Sequence, residues 1–152
     1  MPSYRLQGSA LAALLLAAVG ALAQPAAAIR VEGVWARRAV MIKTSDPSAG
    51  TGTGAVYFTL VNGGSVADAL LAVASDAAAA VEIHETYMES AMAKMRPVAR
   101  IAVPAGRTVE LKPGGYHVML INLTRDLVPG KSIDLTLTFQ HAGKVAVSAQ
   151  IK

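Results

Sequence analysis

The chain has three histidines, His84, His117 and His141, six methionines and no cysteine. Its soft donor atoms are therefore imidazole nitrogens and thioether sulfurs alone, a set that suits a soft metal ion but also suits plain packing. The stretch IHETYMESAMAKM, Ile83 to Met95, concentrates them. Met88, Met92 and Met95 follow His84 at i+4, i+8 and i+11, one face of a helix if the segment is helical. A second group lies in YHVMLINL, where His117 and Met119 are two apart. On a strand such residues share a face, so their donor atoms can reach one ion.

Other chemistries have little to stand on. No Ser-His-Asp set, paired carboxylates or phosphate-binding loop is apparent, so nothing points to an enzyme. The absence of cysteine excludes a disulfide framework, a thiolate metal site, a thiol nucleophile and a lipid-modified N-terminal Cys. It also excludes a blue-copper electron-transfer site, which needs a thiolate. The formal charge of +4 is spread along 152 residues without a basic run longer than Arg37–Arg38, which speaks against nucleic acid.

The elements that must position these donors are strands. RVEGVWAR, AVYFTLVN, AVEIHE, ARIAVP, TVELK, YHVMLINL, SIDLTLTF and KVAVSAQI are separated by NGG, PAG, PGG, PG and HAG, residues that turn a chain. Ile133, Leu135, Leu137 and Phe139 alternate with Ser132, Asp134, Thr136 and Thr138, so one face is buried and the other wet. The expectation is an all-β sandwich or barrel of about seven to eight strands. The PGG turn puts His117 and Met119 at the rim, and His84 ends the strand AVEIHE. DAAAA, Asp76 to Ala80, has room for one helical turn. Thr44 to Gly54 is polar and glycine-rich and reads as a flexible surface loop without a binding role. Trp35 reads as a core anchor, His141 as a solvated turn residue, and Met41 has no assigned role.

The first 28 residues carry one charge, Arg5, then an apolar run SALAALLLAAVGALA and small residues ending at Ala23 and at Ala28. A charged start, apolar middle and small-residue cut site describe a secretory signal over residues 1–28, cleaved after Ala23 or Ala28. The mature domain is then 29–152, with no stable membrane insertion once the signal has gone.

The series His84, Met95, His117, Met119 matches the H-x10-M-x21-H-x-M pattern of the PCuAC periplasmic copper chaperones. The flanking text resembles that family too, in VWAR from Val34, AVYFTLVN from Ala55, IHET from Ile83, KMRPV from Lys94, LKPGGYHVML from Leu111 and LTLTF from Leu135. The resemblance covers nearly the whole mature chain. It implies a cupredoxin-like, Greek-key β-sandwich in the periplasm, a monomer that binds one Cu(I) through His84, Met95, His117 and Met119. It also implies delivery of the ion to a copper-accepting oxidase subunit, the copper centre of cytochrome oxidase, or to another copper chaperone. A copper storage or resistance protein and an Ig-like interaction module that binds no metal are the rival readings.

The chemistry agrees with that reading. Cu(I) favours thioether and imidazole over carboxylate, and without thiolates the affinity stays low enough for release. Met88 and Met92 fall outside the pattern and read as a hydrophobic collar. A straight helix of eleven residues would separate His84 and Met95 by about 16 Å. The segment is therefore expected to bend, with the turn near Ser90. The loop from Met41 to Gly54 looks long for the family, and the chain lacks the His- and Met-rich tail that some members carry, so no Cu(II) site is inferred.

Overall fold

The computed structural model describes residues 28–46 and 49–152. The segment assigned to a signal lies outside the described residues except for Ala28. Ten strands follow one another: Ile29–Ala36 (β1), Thr53–Asn62 (β2), Asp68–Ala74 (β3), Ala78–Glu89 (β4), Met92–Pro97 (β5), Ile101–Val103 (β6), Thr108–Leu111 (β7), Tyr116–Leu123 (β8), Ser132–Phe139 (β9) and Gly143–Ile151 (β10). Among the described residues the chain is all-β as expected, with ten strands in place of seven or eight. Among the described residues no helix is long and apolar enough to cross a membrane.

Hydrogen bonding runs in the order β5-β4-β8-β2-β1-β10-β9-β3-β6, and β7 adds to β2. All these pairs are antiparallel except β1 with β10. The sheet folds over so that apolar faces from both ends of this path meet. Val56, Leu60, Ile83 and Leu120 from one half pack in the same core as Leu70, Leu135, Leu137 and Ile151 from the other. Full burial of such side chains stabilises by about 1.5–3 kcal/mol each, which makes this core the main source of stability.

Two pairings position the candidate site. The first half of β2 pairs with β8, from Thr53↔Ile121 to Val56↔Val118, and its second half pairs with β7. β8 also pairs with β4, from Ala78↔Leu123 to Glu85↔Tyr116. On β8 the pleat sends Val118 and Leu120 into the core and turns His117 and Met119 to the opposite face. Gly54 in β2 is closely approached: a Cβ there would stand 2.8 Å from Leu127 Cδ1, so that side chain would have to shift.

Several local expectations need correction. Asp76 and Ala77 form a turn, but β4 starts at Ala78, so DAAAA makes no helical turn. Pairing with β8 overrides the helix propensity of alanine. His84 does not end a strand; β4 continues five residues past it, to Glu89. Trp35 is absent from the core cluster and is only half buried, because the register shift between Glu32 and Trp35 turns it to the outer face. His141 is exposed, as expected, in a turn held by Asp68, which accepts from the His141 and Ala142 N–H groups at 2.9 and 2.8 Å.

Candidate metal centre

The segment from Ile83 to Met95 bends where it was expected to. Ser90 and Ala91 form a two-residue turn, both at positive φ (50° and 62°), between the paired residues Glu89 and Met92. Two successive left-handed residues make a type I′ hairpin, whose twist matches that of the flanking strands. The hairpin register sets Met95 opposite Thr86 and Pro97 opposite His84. A proline here costs no ladder bond because β5 is the edge strand.

His84 and His117 are direct cross-strand partners in the β4–β8 ladder, with ring centroids 5.8 Å apart. Opposed residues of an antiparallel pair share a face, as do residues two apart on a strand. Met119 and Thr86 therefore lie on that face, and Met95, opposite Thr86, joins them. The rings continue outward across the sheet. Tyr57 lies 6.4 Å from His117, and Trp35 stacks on Tyr57 at 4.6 Å with a 37° tilt.

Met95, His117 and Met119 line one groove of about 330 Å³, with Tyr57 and Thr86 beside them and Pro113 and Gly114 of the PGG turn at its edge. His84 adjoins the groove through His117 without lining it. Exposure grades steeply within the set. Met95 is 56 % exposed and His117 only 4 %, so the position after the PGG turn is at the rim but covered.

The two imidazoles are held by different partners. His117 Nδ1 lies 3.1 Å from the Gly115 carbonyl; as the donor in that bond, it leaves Nε2 as the atom with a free lone pair. His84 Nε2 lies 2.8 Å from Glu82 Oε2, and its Nδ1 is buried without a hydrogen-bond partner. When Nε2–H donates to the carboxylate, Nδ1 is an unprotonated, orphaned acceptor. Buried polar atoms are rarely left so, which suits an atom that meets a ligand.

Glu82 was not foreseen from the sequence. It lies opposite Met119 and two residues before His84, so an E-x-H reading on a strand would have put the carboxylate on the site face. The His and Met donors are themselves neutral, and the site thus has one carboxylate beside it. Among the described residues no three His, Asp or Glu side chains converge, so no cage for a hard cation is present.

Met88 and Met92 are both exposed but on opposite faces. Met88 shares the face of His84 and Thr86; Met92 shares that of Lys94 and Arg96. A collar around the groove is thus open to Met88 alone. On the far face Glu85 accepts from Arg96 Nε and Nη2 at 3.2 and 2.9 Å, which raises the guanidinium pKa, and Arg96 sits 4.9 Å over the Tyr87 ring.

Comparison with known proteins gives the family and the fold. The family described as "Putative lipoprotein LpqE-like" matches residues 29–151. The "Putative lipoprotein Lxx21020" of Leifsonia xyli subsp. xyli (strain CTCB07) is 30% identical over 148 residues, covering 97% of this chain and 89% of the relative. Among solved structures, the apo PCuAC domain from PmoF1 is 25% identical with a TM-score of 0.65, over 85% of this chain and 97% of that one. The solution structure of CuI-DR1885 from Deinococcus radiodurans is 30% identical with a TM-score of 0.55, over 88% and 83%. The fold is that of the PCuAC domains, and the chain belongs to the LpqE-like family of PCuAC-type proteins.

Proposed function

We propose that this protein is an exported copper carrier that binds one Cu(I) through His84, Met95, His117 and Met119 and releases it to a copper-accepting protein. The observation that carries the reading is the cross-strand pairing of His84 with His117, with Met119 and Met95 brought to the same face by register. A relative of 30% identity, CuI-DR1885, has been solved with Cu(I), and the donor set here fits the same ion. The free lone pairs are Nδ1 of His84 and Nε2 of His117, and Glu82 offsets part of the ion's charge. Two thioethers in place of thiolates keep the ion exchangeable, and the exposed Met95 is the donor that an incoming ligand would displace first.

The recipient we favour is an oxidase copper subunit, which requires export to the periplasm. A leader over residues 1–28 and a relative named as a lipoprotein support export. A storage or resistance role uses the same site and differs only in lacking a recipient.

The test is a Cu(I) titration of the purified, reduced protein against a competing chelator. One ion per chain is expected. Loss of an outer-shell partner typically costs about 10–100-fold in metal affinity, so His117→Ala and Met95→Leu should each weaken binding by at least that much. A wild-type affinity in both variants would remove this site from consideration. Copper transfer to an isolated oxidase domain would separate delivery from storage.

A further inference from the structure

We propose that the β1 side of the groove is a docking surface for an acidic protein whose carboxylates flank its own copper-accepting ligands. This rests on the copper-carrier reading and adds the chemistry of the recipient. Arg38 and Ala39 line the groove and also a second concavity of about 450 Å³, whose remaining walls include Val40, Leu127, Val128 and Pro129. Val40 is 75 % exposed and Val128 42 % exposed. An apolar shelf therefore continues from the metal groove across an arginine pair, with Arg37 also lining the groove. Apolar centres rimmed by arginine are characteristic of protein interfaces.

The charges are arranged asymmetrically around the groove. Lys94 and Arg96, on the far face of the hairpin, and Lys112, just before the PGG turn, are each paired with a glutamate: Glu89, Glu85 and Glu110. Arg37 and Arg38 are exposed and have no ion-pair partner among the described residues. The carboxylate lining the shelf is Asp126, and its Oδ1 accepts the Met41 N–H at 2.7 Å. Lys152 adds a further cation, 5.9 Å over the Trp35 ring. Bound Cu(I) would increase this positive charge. Opposite charge on a partner would accelerate encounter and fix its orientation, with its ligands arriving at Met95 and Met119 from the β1 side.

The probe is a pair of synthetic Cu(I)-binding peptides with identical His and Met donors, one flanked by aspartates and the other by asparagines. The full chain, loaded with Cu(I), is mixed with each, and transfer is followed by stopped flow at about 0.01 M and about 0.15 M salt. The wild type should transfer to the acidic peptide about tenfold faster or more at low salt, with the advantage shrinking as salt rises. The double variant Arg37→Gln/Arg38→Gln should lose that advantage yet keep its Cu(I) affinity and urea midpoint. Val40→Ser should slow transfer to the acidic peptide at both salt concentrations. Equal rates for the two peptides in the wild type overturn the proposal. So does arginine-dependent co-sedimentation with phosphatidylserine vesicles without any peptide preference, which assigns the surface to lipid. A chain that takes up no Cu(I) at all sinks the carrier reading instead, so the two failures are distinguishable.

Discussion

β9 and the β4–β5 hairpin are both antiparallel, but different forces hold their register. β9 has neighbours on both edges, β10 and β3, and buries Ile133, Leu135, Leu137 and Phe139. A slip of one residue would move all four into water, at about 1.5–3 kcal/mol each. β5 is an edge strand whose six residues are all exposed. Backbone pairing to β4, the Ser90–Ala91 turn and the cross-strand pairs Glu89–Lys94 and Glu85–Arg96 hold it in place. The fold is secured by the first kind of element, and Met95, the most accessible candidate ligand, is presented by the second. A donor that must be reached and displaced by another molecule cannot sit where burial fixes everything around it.

The largest expected effect tests the first half of this contrast. Leu137 is fully buried, opposite Val145 of β10 and Val73 of β3. Leu137→Ala should cost about 2–5 kcal/mol in urea unfolding. Met92→Ala in the hairpin should stay within about 0.5 kcal/mol. Comparable losses in the two variants would mean that the hairpin contributes to stability as a core strand does, and the contrast would fail.

A smaller effect belongs to β3, where the core half is tied by a polar contact. Asp68 accepts three backbone N–H groups, from Ala69 at 2.7 Å, His141 at 2.9 Å and Ala142 at 2.8 Å. Burial opposes its charge, but these bonds outweigh burial and hold its carboxyl below the ordinary value of 3.8. A carboxylate whose folded pKa lies below the unfolded one stabilises fully above the unfolded value and loses that contribution as pH falls through the folded one. Asp68→Asn should therefore cost about 1–3 kcal/mol at pH 7 and flatten the fall in stability below about pH 4. An unchanged acid profile in the variant would show that Asp68 is not the group responsible.

The same contrast explains what the sequence disclosed. β9, β10, β8 and β2 were legible because burial writes a period of two into them. β5 was not, since MAKMRP buries nothing and is a strand only through its partner. β3 was missed for the opposite reason: Asp68, Ala69 and Leu70 are all buried and a register shift falls between Leu70 and Ala72, so DALLAVA shows no alternation. At the candidate site, the shared face of His117 and Met119 followed from their spacing. Their pairing with His84 depended on the long-range β4–β8 register, which no local pattern encodes, and came from family resemblance. Glu82 is visible as E-x-H, but a carboxylate is a hard donor and falls outside a pattern of soft ones. Trp35 was misplaced because a register shift in β1, marked in VEGVWA only by Gly33 at a φ of 60°, turns it outward.

The smallest effect concerns the turn that sets the hairpin register. Ser90 and Ala91 occupy the left-handed region, where non-glycine residues are disfavoured by about 1–2 kcal/mol each and where Asn-Gly is preferred. Ala91→Gly relieves one of these strains and adds unfolded-chain entropy, so the expected net gain is up to about 1 kcal/mol in urea unfolding. The register Glu89↔Met92 and Thr86↔Met95 is unaltered, so Cu(I) affinity in the competition assay should not change. A rise in affinity along with stability would carry a different meaning: the paired hairpin would be only fractionally populated without copper, and the ion would be closing it. The turn would then act on binding through the population of the ligand-bearing conformation, a coupling that the buried register of β9 does not permit.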